Sequence, residues 1–407
     1  MNKSTQKHIN STASTFTVIR QFCNLIPTHL VRSLAIIHKS EDQARTFSHW
    51  SHVVALIFAK ITHAFGLNDT ADALQIHSGP LSAVRGATAP SRNALSHANK
   101  ERPAASAEYL FWKTLEHLRQ QASRFGRRRF PGKLAKLRRS VHLLDSTVIE
   151  LAANCLDWAA HRRRKAAAKC HLRLNFETLL PGFVVVDTAR EHDNVRAREA
   201  TAGLKTGEIV VMDRGYVDLK HFADLSARKV VWVTRMKDGM RFDLLDEQAV
   251  QPGGKILADQ WIMLTNGVQA RRIVALVEVD GKEREMTFMT NQLEWSADTV
   301  VELYRCRWEI ELFFKQMKQT LKLCDVMSYS ANGIRWQVWI ALLVQMLMRY
   351  LAWASQWGHS FVRLYALVRS LVWEKRAIIL LLKRYGTASG SYRNLAQPQQ
   401  AYFAGLR

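Results

Sequence analysis

Acidic residues are scarce in this chain. Its 407 residues hold 35 Asp and Glu against 58 Lys and Arg, a net charge of +23 with a pI near 10.1. Self-repulsion of that size penalises a compact fold unless a polyanion is the working partner. Nucleic acid therefore leads and an anionic membrane surface comes second. Cysteine is scarce as well. Cys23, Cys155, Cys170, Cys306 and Cys324 are scattered, odd in number and without a Cys-x-x-Cys, which excludes a zinc scaffold and fits a reduced, cytoplasmic chain. The first 17 residues are polar and Ser/Thr-rich and lack the apolar core of a signal peptide. No clean membrane span is present either. The nearest stretch, residues 336–354, is interrupted by Gln337, Gln345 and Arg349 and reads as a buried helix, so no membrane partner is expected. Common catalytic motifs are missing too: Gly203-Leu204-Lys205-Thr206-Gly207 lacks Walker spacing, and there is no Gly-x-Ser-x-Gly. His49 and His52 lie in an apolar helix with no Cys or carboxylate nearby, so core packing or capping is the better reading.

What is there suits a multidomain α/β protein. At 48% hydrophobic the chain can bury a sizeable core, and its length predicts two to four domains. Residues 1–125 read as a helical DNA-binding domain. Ser48 caps a helix that Gly66 ends, and Ser91 opens another carrying Arg92, Asn93, Ser96, Asn99 and Lys100, side chains able to read bases or phosphates. Residues 126–140 form a basic linker. From Arg124 to Arg139, eight cations (Arg124, Arg127, Arg128, Arg129, Lys133, Lys136, Arg138, Arg139) occur without an acid, which predicts a phosphate-gripping arm. A second basic cluster follows at Arg162, Arg163 and Arg164.

Residues 141–228 predict the first part of an α/β sheet. Val141 to Leu144 is an apolar strand ending on Asp145, with further strands at 169–176 and 183–188 turning at Pro181-Gly182. Glu208 to Met212 delivers Asp213 into a Gly turn. Residues 229–296 alternate with period two, and Asp280-Gly281 is a strong hairpin signal, so this stretch reads as a β-rich insertion. Residues 297–325 contain no Gly or Pro up to Leu323 and predict one long helix. Residues 326–407 are a helical, Trp-rich region and a candidate dimerisation surface, with a polar tail from Thr387.

On that predicted helix Leu303, Cys306, Ile310, Phe313, Met317 and Leu321 share an apolar stripe roughly 80° wide. Tyr304, Arg307, Glu311 and Lys318 fall in an arc of roughly 60° beside it. One carboxylate flanked by two cations and a phenol suits a metal ion and a phosphate chain; ordinary i,i+4 pairing of Arg307 with Glu311 on a solvated face is the bland alternative. With Asp145 and Asp213 the carboxylates number three. Three converging carboxylates can hold two divalent ions roughly 4 Å apart for in-line phosphoryl displacement. An oxygen-only donor set favours Mg²⁺ or Mn²⁺ over zinc.

Tyr304-x2-Arg307-x3-Glu311-x6-Lys318 resembles, without a departure in spacing, the Tyr-Arg-Glu-Lys motif of a large bacterial transposase family, insertion sequence family four. Leu144-Asp145-Ser146-Thr147 and Met212-Asp213-Arg214-Gly215-Tyr216-x-Asp218 are similar to its two aspartate blocks, and Thr290-Asn291 to a further short one. The match covers roughly residues 140–325. The resemblance implies a ribonuclease-H-like catalytic core with a β-rich insertion, and all-α N-terminal and C-terminal regions around it. It implies an Asp145, Asp213 and Glu311 triad that is both catalytic and metal-binding. It implies cutting and rejoining of DNA at transposon ends by a homodimer in a synaptic complex, associated with the nucleoid. Tyr304, Arg307 and Lys318 would handle phosphates around a flipped base, with Trp232, Trp261 or Trp295 stacking on it. Lys169 and His171, beside the second strand, are lesser candidates for DNA contact. A metal-dependent nuclease on the same fold and a catalytically silent DNA-binding remnant are the competing readings.

Overall fold

The computed structural model of the protein describes residues 12–30, 33, 47–64, 66–128, 130, 132–151, 160–161, 165–188, 193–279, 281–325 and 327–386. They form two compact units. One takes the chain up to Phe125 and resumes at Gln316; the other runs from Gly126 to Lys315. The Thr387 tail and the Arg162–Arg164 cluster lie outside the described residues.

The second unit is built on one ten-stranded sheet. Its strands are β1 (Val141–Leu151), β2 (Ala160–His161), β3 (Lys165–Asn175), β4 (Leu180–Thr188), β5 (Ile209–Met212), β6 (Val231–Arg235), β7 (Phe242–Glu247), β8 (Ile256–Leu264), β9 (Gln269–Val279) and β10 (Lys282–Thr290). β1, β3 and β4 form an antiparallel meander; β5 then pairs parallel to β1, and β6 parallel to β5. The order β4-β3-β1-β5-β6 with that polarity is the ribonuclease-H-like arrangement. The β-rich stretch does not form a separate sheet. β10 pairs antiparallel with β6, and β9, β8 and β7 continue outward from it. At the tip of β9–β10, Val279 pairs with Lys282 across a two-residue loop, and Gly281 takes φ +71°, the left-handed turn that glycine adopts without strain.

The pleat assigns the faces. Leu144, Val210, Met212 and Trp232 point to one side, where they join a core with Ala197, Ala200, Phe222 and Leu225 from helices Asp193–Thr201 and Leu219–Ala227. Leu143, Val211 and Val233 point to the other, fully buried. On that side helix Ala297–Arg305 packs against β5, β6 and β10, and helix Trp308–Lys315 packs against β1. Asn291 fastens the end of β10: its side chain accepts the Trp232 amide at 3.0 Å and donates to Val230 O at 2.9 Å. The Arg271–Asp259 pair is buried, with contacts of 2.7 and 2.6 Å. Arg271 also reaches Leu293 O and Trp295 O, tying the insertion to the loop before helix Ala297–Arg305.

One sequence expectation fails here for a local reason. Pro181 and Gly182 lie inside β4, not in its turn. The turn is residues 176–179, where Asn175 Oδ1 accepts both the amide and hydroxyl of Thr178, and Leu179 takes φ +51°. The Asx-type bond outcompetes the Pro-Gly signal, which marks instead a register shift opposite Arg173.

The first unit is helical. Ser48, Ser91 and Ser330 cap helices His49–Thr62, Arg92–Glu101 and Ala331–Ala354 with their hydroxyls. Ala331–Ala354 is long and apolar enough to cross a membrane, yet most of it is buried, packed on His49–Thr62 and Ala105–Gln121. Trp336, Trp339 and Trp357 are core residues, so the Trp-rich helices do not offer those rings to a partner. Asn99 is also core rather than base-reading: it is fully buried and pairs with His52 Nε2 at 2.9 Å. His52 is internal as expected, and burial holds its ring down to about 3.

Candidate active site

Asp145 and Asp213 are neighbours because their strands are in register. Leu144 pairs with Met212 as the last matched position of β1 and β5, and each aspartate is the next residue. Val211 pairs with Val233, which brings Arg235 to the same level on β6, and Phe288 is paired with Arg235 on β10. Four adjacent strands therefore present Asp145, Asp213, Arg235 and Phe288 in a row on one face. The side chains of the helical segment at 304–311 meet this row.

That segment is not the single long helix predicted. Helix Ala297–Arg305 gives way to Trp308–Lys315, and Gln316–Thr320 is a π-helical turn. At the first junction the amides of Arg307, Glu309 and Ile310 bond back three residues, to Tyr304 O, Cys306 O and Arg307 O at 3.0–3.1 Å. The chain is overwound there, with roughly three residues per turn, and an arc computed at constant pitch no longer applies. Tyr304, Arg307 and Glu311 still converge. Tyr304 packs its ring on Phe288 at 5.1 Å and donates its hydroxyl to Asp213 Oδ1 at 3.3 Å. Arg307 lies over the Tyr304 ring and bridges two acids, reaching Asp145 Oδ2 at 3.3 Å and Glu311 Oε1 at 2.6 Å. Lys318 sits half-buried on the π turn and belongs to the other compact unit.

The electrostatics are those of a crowded anionic site. Burial raises Asp145 to about 7; Arg307 and the Ser146 amide pull it down, while Asp213 and Glu311 push it further up. Burial works against the charge of Arg307, but Tyr304, Glu311, Asp145 and Asp213 outweigh it and raise its pKa. Burial pushes Tyr304 up to about 12, so the phenol keeps its proton and donates. One guanidinium thus neutralises part of three carboxylates, and a proton on Asp145 stands in for further positive charge. An oxygen-only set with unrelieved negative charge fits a hard divalent cation. In this arrangement Arg307 occupies the space between Asp145 and Glu311, and no three His, Cys, Asp or Glu side chains among the described residues are drawn into a ligand cluster.

The proton on Asp145 has a measurable consequence. Its native pKa of about 7 lies above the ordinary value near 4, so its stabilising proton is fully present below about pH 4 and lost as pH rises through about 7. In metal-free protein that loss amounts to at most about 4 kcal/mol. Asp145→Asn carries no such loss. It is expected to melt with the parent at pH 4 and several degrees above it at pH 8, read by thermal unfolding without divalent metal. Parallel pH profiles would contradict this.

Other sequence candidates fare differently. His171 is fully buried and pairs in register with Ser146, whereas Asp145 pairs with Leu172. His171 and Lys169 therefore point to the sheet face opposite Asp145, away from the acids. Trp232 is core, stacked on Phe222 at 4.2 Å with its ring N–H on Ser226, and cannot receive a base; Trp261 and Trp295 are half-buried. Asp218 caps helix Leu219–Ala227. Arg128 is half-buried, bonded to Phe176 O at 2.7 Å and Glu309 at 3.4 Å, while Arg124, Arg127, Lys136, Arg138 and Arg139 are exposed. Sequence reading missed Arg235. Its Nε is buried and finds no hydrogen-bond partner among the described residues. The cue was there: Arg235 follows an apolar run ending at the same strand level as the two aspartates.

A ribonuclease-H-like sheet with one aspartate inside its first strand, a second at the same level just past the adjacent strand, and a helix-borne glutamate facing them defines a class of enzymes that transfer phosphoryl groups in nucleic acids. Residues 136–347 match the Transposase DDE domain, and residues 14–83 match a domain of unknown function, DUF4372. The chain belongs to the Transposase DDE domain family, in its insertion-sequence-four branch, and is a DNA transposase that cleaves and joins DNA. It is 26% identical over 322 residues to a putative transposase, y4zB, of Sinorhizobium fredii, covering 77% of this chain and 86% of that one. It is 24% identical to a putative transposase for insertion sequence element IS4SA of Synechocystis, over 59% of this chain and 68% of the relative. A solved piggyBac transposase synaptic complex with hairpin DNA is similar at TM-score 0.48 and 8% identity, covering 96% of this chain and 84% of that one. Transposase DDE domains generally work with divalent metal ions.

Proposed function

We propose that Asp145, Asp213 and Glu311 are the catalytic carboxylates, and that they hold two Mg²⁺ or Mn²⁺ ions while the enzyme cuts the terminal inverted repeats of its element and joins them to target DNA. The observation that carries this reading is the placement of Asp145 and Asp213 at one level of adjacent strands, with Arg307 bridging Asp145 to Glu311 and Tyr304 donating to Asp213. When bound, the metal ions supply an activated water or 3′-hydroxyl and stabilise the leaving oxygen. The protein's own groups do the rest. Arg307 lets go of Asp145 and Glu311 and turns to a phosphate oxygen, which exchanges one anionic partner for another at little cost in charge. Tyr304, protonated and braced by Phe288, donates to a second phosphate oxygen. Lys318 contributes a cation by the spacing of the family motif. Arg235, beside Asp213, supplies one more donor for the phosphodiester. The exposed cations of the basic linker grip the flanking duplex, with Arg162, Arg163 and Arg164 adding to them. Joining requires two ends held at once, so the working form is a homodimer in a synaptic complex on nucleoid DNA.

Strand transfer separates this from hydrolysis alone. Pre-nicked duplex ends carrying the DNA that flanks the coding sequence are incubated with protein, Mg²⁺ and a plasmid target. Joined product is expected. Cleavage with no joining would assign the same site to a nuclease.

A further inference from the structure

Lys60 is a buried charge that the chemistry above does not use. It lies in the last turn of helix His49–Thr62, within the segment that matches the domain of unknown function, and is 4% exposed. Its Nζ donates to Lys322 O at 3.1 Å and to Asp325 O at 3.5 Å. Three residues on, His63 takes the left-handed conformation that ends the helix, and its Nε2 meets Thr320 O at 2.8 Å. Arg369 Nη1 reaches the other ring nitrogen, Nδ1, at 2.9 Å. A guanidinium can only donate, so Nδ1 is the acceptor and Nε2 carries the proton given to Thr320. Tyr365 stacks on the His63 ring at 5.1 Å and donates its hydroxyl to Ile61 O at 2.8 Å and to Lys60 O.

All three gripped carbonyls belong to the stretch that follows the motif helix. Gln316–Thr320 is the π turn carrying Lys318, closed by Leu321 N on Gln316 O at 3.1 Å, and Lys322 then adopts φ +50°. A π turn and a left-handed lysine each depart from the favoured backbone geometry of an L-residue chain, so outside hydrogen bonds help to hold them. Helix His49–Thr62 provides an external brace for this stretch. Simple packing does not account for the brace. Burial pulls Lys60 down to about 8 against the opposing pull of Asp325, a desolvation cost that an apolar side chain of the same length would avoid. The Lys60 and His63 donors at the end of this helix are both spent on one turn.

We propose that Lys60 and His63 are positioning residues for transposition, fixing the backbone of residues 320–325 so that the π turn presents Lys318 to the phosphate in one place. This rests on the reading of Lys318 as a phosphate contact. It gives the DUF4372 segment a role in the reaction that is distinct from gripping DNA.

A double-mutant cycle tests it, using full-length protein, saturating flanking-DNA duplex and Mg²⁺. Lys60→Met is expected to lower single-turnover cleavage about tenfold to a hundredfold while DNA affinity stays within about threefold. In a Lys318→Met background the same change is expected to cost nothing further, since Lys60 acts through Lys318. His63→Gln, which keeps a donor for Thr320 O, retains most of the rate, and His63→Ala does not. If Lys60→Met costs the same in both backgrounds, the lysine is merely structural and the proposal falls. If Lys318→Met alone cleaves at the parental rate, the reading of Lys318 falls instead. Should Lys60→Met not fold, the His63 pair decides: equal rates for Gln and Ala would overturn the proposal.

Discussion

Glu311→Gln is expected to bind end DNA like the parent and to cleave it at least about a thousandfold more slowly, a loss of about 4 kcal/mol of transition-state stabilisation. The substitution is close to isosteric, and the helix it sits on is anchored by Ile310 and Phe313, both buried. Arg307 keeps Asp145 as a partner, so its guanidinium is not left without an acid. What disappears is the carboxylate charge that faces the two strand-borne aspartates. Filter binding and a single-turnover cleavage assay on the same preparation give both numbers. Binding lost in step with cleavage would move Glu311 from the chemistry to the DNA grip.

Affinity for end DNA is expected to fall by about 10³–10⁵ between about 50 and 200 mM salt, the response of six to ten phosphate contacts releasing counterions. The cations Arg124, Arg127, Lys136, Arg138 and Arg139 are exposed and so available for five of these. Arg128 is half-buried and its guanidinium is already engaged by Glu309 and Phe176 O, so it is not counted among them. Replacing Arg162, Arg163 and Arg164 together by alanine is expected to reduce the slope of log K against log salt by about 3. An unchanged slope would remove that cluster from the interface. A flat response in the parent would undercut the polyanion reading of the +23 charge.

Much of the site was legible because strands and registers leave strong marks in sequence. Val141 to Leu144 and Ile209 to Met212 are apolar runs that stop on an acid, and parallel pairing then sets those acids side by side. The Asp280-Gly281 hairpin and the serine caps were legible for the same reason, since local chemistry decides them. The break at Cys306 and Arg307 was not. It contains no Gly or Pro, and it arises where Arg307 is held by two acids, one of them 162 positions away in sequence. Pleat direction decided His171 and Lys169: from sequence they were merely close to the site, and only the register with β1 turns them to the far face. Trp232 illustrates a general ambiguity, since an aromatic in a strand reads alike whether it awaits a base or fills a core. Arg235 was passed over because the strand at 231–235 was read as the start of the insertion, when it is the fifth strand of the catalytic sheet.

Iron-mediated cleavage of the polypeptide tests the three-carboxylate centre without relying on turnover. Fe²⁺ bound in place of Mg²⁺, with ascorbate and peroxide, generates hydroxyl radicals that cut the backbone beside the ion. The account predicts cuts near Asp145, Asp213 and Glu311 and nowhere else in the chain, suppressed by excess Mg²⁺ and weakened at all three places by Asp145→Asn. Cuts confined to one or two of these positions, or unaffected by Asp145→Asn, would contradict it.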